Sequence, residues 1–248
     1  MTKPQPPPAS PSAHGPLAQS LIDLAEMPDD LATLDDQLVL ITRLVVDRVV
    51  AIDYASVTAL REDACTTVAA SSDLALAVDE AQYADQTGPC LQPLDTGKPV
   101  GVPDIQATMS WPGFREEASA MGLRASLSVP LFAGDGAPIA VLNLYSHDQS
   151  AMAPVIERVW NVFNRDPATA TTADGGEAPG LESGAAELVA GLAEAFAIRA
   201  TIQQAVGVIM AQNGVSAFDA YLTLRGRAAA IGSSLTTTAS AVLKQASM

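Results

Sequence analysis

Residues 165–184, RDPATATTADGGEAPGLESG, constrain this chain more than any other stretch. They hold almost no large apolar side chain, the composition of a flexible linker and a domain boundary. Upstream the hydrophobic period switches between helix and strand; downstream it stays helical. In 248 residues this predicts a flexible linker at 165–184 between a domain at 17–164 and a smaller one at 185–248. Pro4, Pro6, Pro7, Pro8, Pro11 and Pro16 lack the donors that regular structure needs, which predicts a disordered tail at 1–16.

The upstream domain reads as α+β. Leu31, Leu34, Leu38, Ile41, Val45, Val49 and Ile52 recur at spacings of three and four, one apolar helix face. YASVTALRE from Tyr54 and TTVAASS from Thr66 read as strands of a hairpin that turns at Glu62, Asp63 and Ala64. LALAVDEAQYAD reads as a helix stopped by Gly88-Pro89, KPVGVPDI as a short strand, and WPGFREEASAM as a helix ending at Gly122. ASLSVPLFA and PIAVLNLYS flank Gly134-Asp135-Gly136, a hairpin signal, and AMAPVIERVWNVF is a closing helix. The downstream domain is all helix, at about 185–212, 216–230 and 235–246, with Ser216 capping the second helix and Gly232 ending it.

The formal net charge is −15, yet residues 181–248 carry four acids and four bases, so the whole excess lies upstream. From Phe196 onward Arg199, Arg225, Arg227 and Lys244 face Asp219 alone. An acidic chain repels nucleic acid at long range, so any such contact must be local to this segment. Cys65 and Cys90 make neither a disulfide framework nor a zinc site, and His147, alone at a strand end, reads as a surface residue. No secretory apolar region follows Lys3 and no apolar run reaches the length of a membrane span, so the expected location is the cytoplasm. No phosphate loop, nucleophile elbow or metal-binding helix motif is present. The expectation is a protein without enzymatic activity, metal or cofactor.

The 54–72 hairpin, QTGPCLQPLDTGKPVGVPDI from Gln86 to Ile105, WPGF, GLRASLSVPL from Gly122 and IAVLNLYS to Ser146 together resemble a GAF sensor domain. The likeness covers about residues 31–164 and implies an antiparallel sheet flanked by helices, with room for a small molecule between them. Tyr83, Cys90, Trp111, Phe114 and Tyr145 are candidate lining residues; as some of the chain's few aromatics, at 4%, they equally suit a plain core. The likeness also raises the chemistry of free methionine sulfoxide reductases, which needs a nucleophilic thiol and a resolving one. Cys65 near a hairpin turn and Cys90 in Gly-Pro-Cys do not form that arrangement in the sequence.

Arg199, Ile202, Gln204, Ala205, Gly207, Ile209, Met210, Gly214, Val215, Ser216, Ala220, Leu224, Arg225, Ala228, Leu235 and Ala239 resemble an ANTAR output domain. That resemblance implies binding of RNA hairpins in nascent leader transcripts, which prevents transcription termination. This chain departs from the family at Val206, where the pattern has Lys, at Gly226, where it has a base, and at Gly232, where it has Asn. Arg227 is the candidate replacement for one lost base.

Arg199, Arg225, Arg227 and Lys244 are the candidate phosphate contacts, with Gln203 and Gln204 as candidate contacts to unstacked loop bases; the alternative is an ordinary solvated face. Leu188, Leu192, Ala195, Arg199, Ile202, Val206 and Ile209 recur at spacings 4-3-4-3-4-3. Such a seam joins two copies into a homodimer or faces the helical domain's own core. Two other functions stay open for the helices: protein association alone, or DNA binding through a helix-turn-helix end, for which LTTTASAVLKQA offers threonines and one lysine.

Overall fold

The computed structural model of the chain describes residues 14–27, 31–62, 64–134, 136–165 and 180–246. The expected tail up to residue 13, and residues 166–179 of the expected linker, lie outside the described residues. Pro16, assigned above to the tail, instead starts helix α1 (Pro16–Glu26), where a missing N–H costs nothing.

Five strands form one antiparallel sheet in the order β2-β1-β5-β4-β3. They are β1 (Tyr54–Arg61), β2 (Ala64–Ala70), β3 (Val100–Val102), β4 (Ala125–Phe132) and β5 (Pro138–Ser146). Pro130 is tolerated in β4 because β3 pairs only with Ser126 to Ser128, leaving β4 without a neighbour beyond it on that side. The helices of this part are α2 (Leu31–Arg48), α3 (Asp73–Asp85), α4 (Gln92–Thr96), α5 (Pro112–Ala120) and α6 (Gln149–Phe163). Helix α4 has five residues, too few to show a period in the sequence.

Period-two alternation gives the sheet two chemically different faces. Ala55, Val57, Leu127, Val129, Leu142 and Leu144 share an apolar core with Leu38, Ile41 and Val45 of α2 and Met152, Val155 and Val159 of α6. The opposite face, under α3, α4 and α5, carries Ser56, Thr58, Ser126, Ser128 and Asn143, all buried. Buried polar groups on that scale require partners, and they organise the site below.

Helices α7 (Ser183–Asn213), α8 (Ala217–Ile231) and α9 (Leu235–Ala246) complete the fold. The first turns of α7 belong to the sheet-side core, through Ala185, Leu188, Val189 and Leu192. Its later turns pack Ile198, Ile202, Val206 and Ile209 against Tyr221 and Leu224 of α8 and Leu235 and Val242 of α9. Helix α1 lies along α7. A Cβ on Gly191 would fall 2.6 Å from the Ala18 Cα, so only glycine permits that approach. Glu187 of α7 accepts the Leu17 N–H at 2.7 Å and pairs with Arg48 at 2.7 Å. It thereby caps α1, whose own flanking residue, Gly15, has no side chain to do so.

Candidate functional site

Helix α3 positions the centre of the sensor interior. Ser72 caps it by accepting the Ala75 N–H, and spacings of three and four then turn Ala75, Val78, Asp79 and Gln82 toward the sheet. Asp79 is fully buried. Its carboxylate accepts hydrogen bonds from the Tyr145 hydroxyl at 2.6 Å, the Thr67 hydroxyl at 2.9 Å and the Asn143 amide at 3.5 Å. The Asn143 amide also donates to Thr58 at 2.9 Å and Ser56 at 3.2 Å, and the Tyr83 hydroxyl bridges Thr58 and Thr67 at 2.8 Å each. Gln82 accepts the Cys90 N–H at 2.9 Å.

No basic group hydrogen-bonds to Asp79 among the described residues. Burial pushes its carboxyl up to about 6, against the pull of hydrogen bonds from Tyr145, Ser56 and Thr67 and with a further push from Glu80. Burial and the nearby Asp79 charge together raise the Cys90 thiol well above its ordinary range, while burial and Asp95 raise Cys65. Both thiols are free and held protonated, the opposite of what a thiolate nucleophile needs.

Of the five expected lining residues, Tyr83, Cys90 and Tyr145 do gather around Asp79. Phe114 packs beside Tyr145 in a cluster with Val78, Val102 and Leu123, and Trp111 leans on its edge. Cys90, Phe114 and Tyr145 are buried in close packing, the core placement that the sequence left as the alternative. The polar members, Asp79, Gln82, Asn143, Ser56, Thr58 and Thr67, were not singled out from the sequence. The available signal was Asn143 within the apolar run IAVLNLYS and the alternation of Ser126 and Ser128 in ASLSVPLF. The Asn143 Oδ1 and the Ser126 hydroxyl are buried with no hydrogen-bonding partner among the described residues.

The six expected RNA-contact residues divide. Gln203, Gln204, Arg225, Arg227 and Lys244 are exposed, the first two on α7, the next two on α8 and the last on α9. Arg199 is turned inward: its guanidinium lies 3.7 Å from the centroid of the Phe132 ring, and its Nε donates to the Gly136 carbonyl at 3.1 Å. Gln203 reaches the same turn, because a Cβ on Gly136 would fall 2.0 Å from its Nε2. Arg199 is thus half-buried against the sensor domain, unlike the other three bases.

The expected dimer seam is filled within one chain. Leu188, Leu192, Ile202, Val206 and Ile209 are buried, the first two against α1 and the sheet side and the last three against α8 and α9. Ala195 is half-buried against the second of these clusters. Heptad spacing describes a face, and here that face meets the chain's own helices.

The sequence model of the GAF domain matches residues 32–162, and that of the ANTAR domain matches residues 190–243. None of the curated proteins matches the chain. Among solved structures, the type II free methionine-R-sulfoxide reductase of Thermoplasma acidophilum is 14% identical, covering 71% of this chain and 96% of that one, with a TM-score of 0.37. The nlh2 GAF domain of A. aeolicus in an inactive state is 7% identical, covering 59% and 88%, with a TM-score of 0.40.

Proposed function

This chain belongs to the GAF domain family and carries an ANTAR domain behind it, and on that premise we propose that it binds RNA hairpins in leader transcripts and controls transcription termination in response to a signal at its GAF domain. The ANTAR match over residues 190–243 carries the reading, and the exposure of Arg225, Arg227 and Lys244 suits it. These bases sit on the one part of an acidic chain without a negative excess. Attraction to phosphate is therefore short-ranged and rests on few groups. The signal is a change that reaches the buried Asp79 network, which ties α3 to β2 and β5. Both matched domains are of regulatory type, which supports a regulatory rather than an enzymatic function.

RNA crosslinked to the protein in its native cell, then sequenced, tests the reading. Enrichment of leader hairpins is the expected result; recovery of abundant RNA at random would end it. Replacing Arg225 and Arg227 together by Ala is expected to weaken binding to the recovered hairpins. The slope of log affinity against log salt should flatten by about 0.7–0.9 per lost phosphate contact. Helix content should hold, since alanine is a good helix former.

One observation favours protein association instead. Phe218 and Leu222, one turn apart on α8, are 62% and 43% exposed. A double variant, Phe218→Ser with Leu222→Ser, that kept RNA binding but lost a protein partner would favour that reading.

A further inference from the structure

Three residues of α7 face the tip of the β4–β5 hairpin. Phe196 meets Phe132 edge-on, with ring centroids 6.2 Å apart, and Phe163 at 5.3 Å. Arg199, one turn later, lies over the Phe132 ring at 3.7 Å and donates to the Gly136 carbonyl at 3.1 Å. Gln203, another turn on, closes over Gly136, whose φ of +87° and lack of a side chain let the turn come that close. These contacts hold the Phe196–Arg199 side of the helix that begins the ANTAR domain against the sensor half of the chain, half-burying Phe196 and Arg199 while Gln203 stays exposed.

We propose that Arg199 latches the output helix to the β4–β5 hairpin, so that the sensor domain restrains the Arg199 side chain and partly masks that side of α7 while the contact is made. The ring takes one face of the guanidinium and the Gly136 carbonyl takes its Nε–H, which leaves only the terminal N–H groups for a phosphate and holds them beside the hairpin. The hairpin is also the part of the sheet best placed to report on the interior: Asn143 and Tyr145, which hold Asp79, stand on the same strand β5 that starts just beyond Gly136. A change at Asp79 and a change at Arg199 are thus linked through one strand. What the uncovered side then meets rests on the RNA reading; the latch itself does not.

Phenylglyoxal labelling of arginines in the full chain, followed by mass spectrometry, tests the latch without RNA. Arg225 and Arg227, both exposed, are the internal references. Arg199 is expected to label about tenfold more slowly than they do, the factor that a contact of this class supports. Phe132→Leu keeps an apolar side chain and removes the ring, and should bring Arg199 close to the reference rate. Arg199 labelling as fast as Arg225 in the unaltered protein would overturn the latch. The masking is read from crosslinked leader RNA: Phe132→Leu should raise the yield severalfold, and adding Arg199→Ala should cancel the gain. If labelling rises while RNA yield stays level, the contact is only structural and the masking is wrong. If no form recovers leader RNA, the RNA reading falls and the labelling alone decides the latch.

Discussion

Asp79 is the residue at which burial and charge conflict most directly. Its pKa of about 6 lies above the ordinary carboxylate value near 4, so the folded protein binds its proton more tightly than the unfolded chain does. The stability this contributes is fully present below about pH 4 and is lost as pH rises through about 6, to a total on the order of 3 kcal/mol. Asp79→Asn keeps the shape and removes the charge, and of the Thr67 and Tyr145 hydroxyls one can go on donating to its amide oxygen while the other accepts from its NH2. The variant is expected to gain on the unaltered protein as pH rises, by about 2–3 kcal/mol at pH 8. Urea midpoints across that range check this, and parallel curves for the two proteins would refute it. Arg199 shows the same principle at a surface. Its burial against Phe132 lowers its pKa from the ordinary guanidinium value, yet the stacked ring accepts the cation face-on.

At the scale of elements, α7 is the one that ties the molecule together. Its first turns complete the sheet-side core, its middle meets the hairpin, and its last turns carry α8 and α9. Two of its glycines separate local propensity from tertiary contact. At Gly191 a Cβ would strike Ala18 and Leu21 of α1, whereas at Gly207 nothing lies within 4 Å. Gly191→Val is therefore expected to push α1 away and cost about 1–3 kcal/mol or more, by overpacking. Gly207→Ala should stabilise the helix by about 0.5–1 kcal/mol, since only backbone freedom changes. Thermal unfolding of both variants gives the two signs, and equal shifts in the same direction would contradict the account of α1.

For the whole molecule, the consequence of the filled seam is that Leu192 serves the monomer's core. A dimer held by that face would fall apart in Leu192→Glu while its chains stayed folded. Here the new carboxylate lands in apolar packing between α7 and its own sheet-side neighbours, with a cost of several kcal/mol when unpaired. Unfolding is the expected outcome, seen as lost helical circular dichroism. A folded variant with half the scattering mass would show that two copies share the seam after all. Among the described residues no helix is long and apolar enough to cross a membrane.

How far the sequence reached can be judged from particular residues. Leu34, Leu38, Ile41 and Val45 announced α2, Ser216 and Gly232 marked both ends of α8, and the alternation in β4 and β5 announced strands. These signals depend on neighbours within a turn or a pleat, which is the range over which sequence order and spatial order agree. The five-residue α4 was too short to carry such a signal. The likeness to GAF and ANTAR domains was equally legible, because motif residues sit at set spacings along the chain. Partnership was not legible. Period 3.5 in Leu188, Leu192, Ile202 and Ile209 defined a face without saying whether a second copy, α1 or α9 would cover it. Arg199 read as a candidate phosphate contact and a seam position, and only the fold set Phe132, 67 positions earlier in the chain, beneath it. Asp79 carried no signal in the sequence until the sheet brought Thr67, Asn143 and Tyr145 around it. Local periods and caps were thus determined by the sequence alone; what each face meets was decided only in the tertiary structure, because packing joins residues whose separation along the chain carries no local signal.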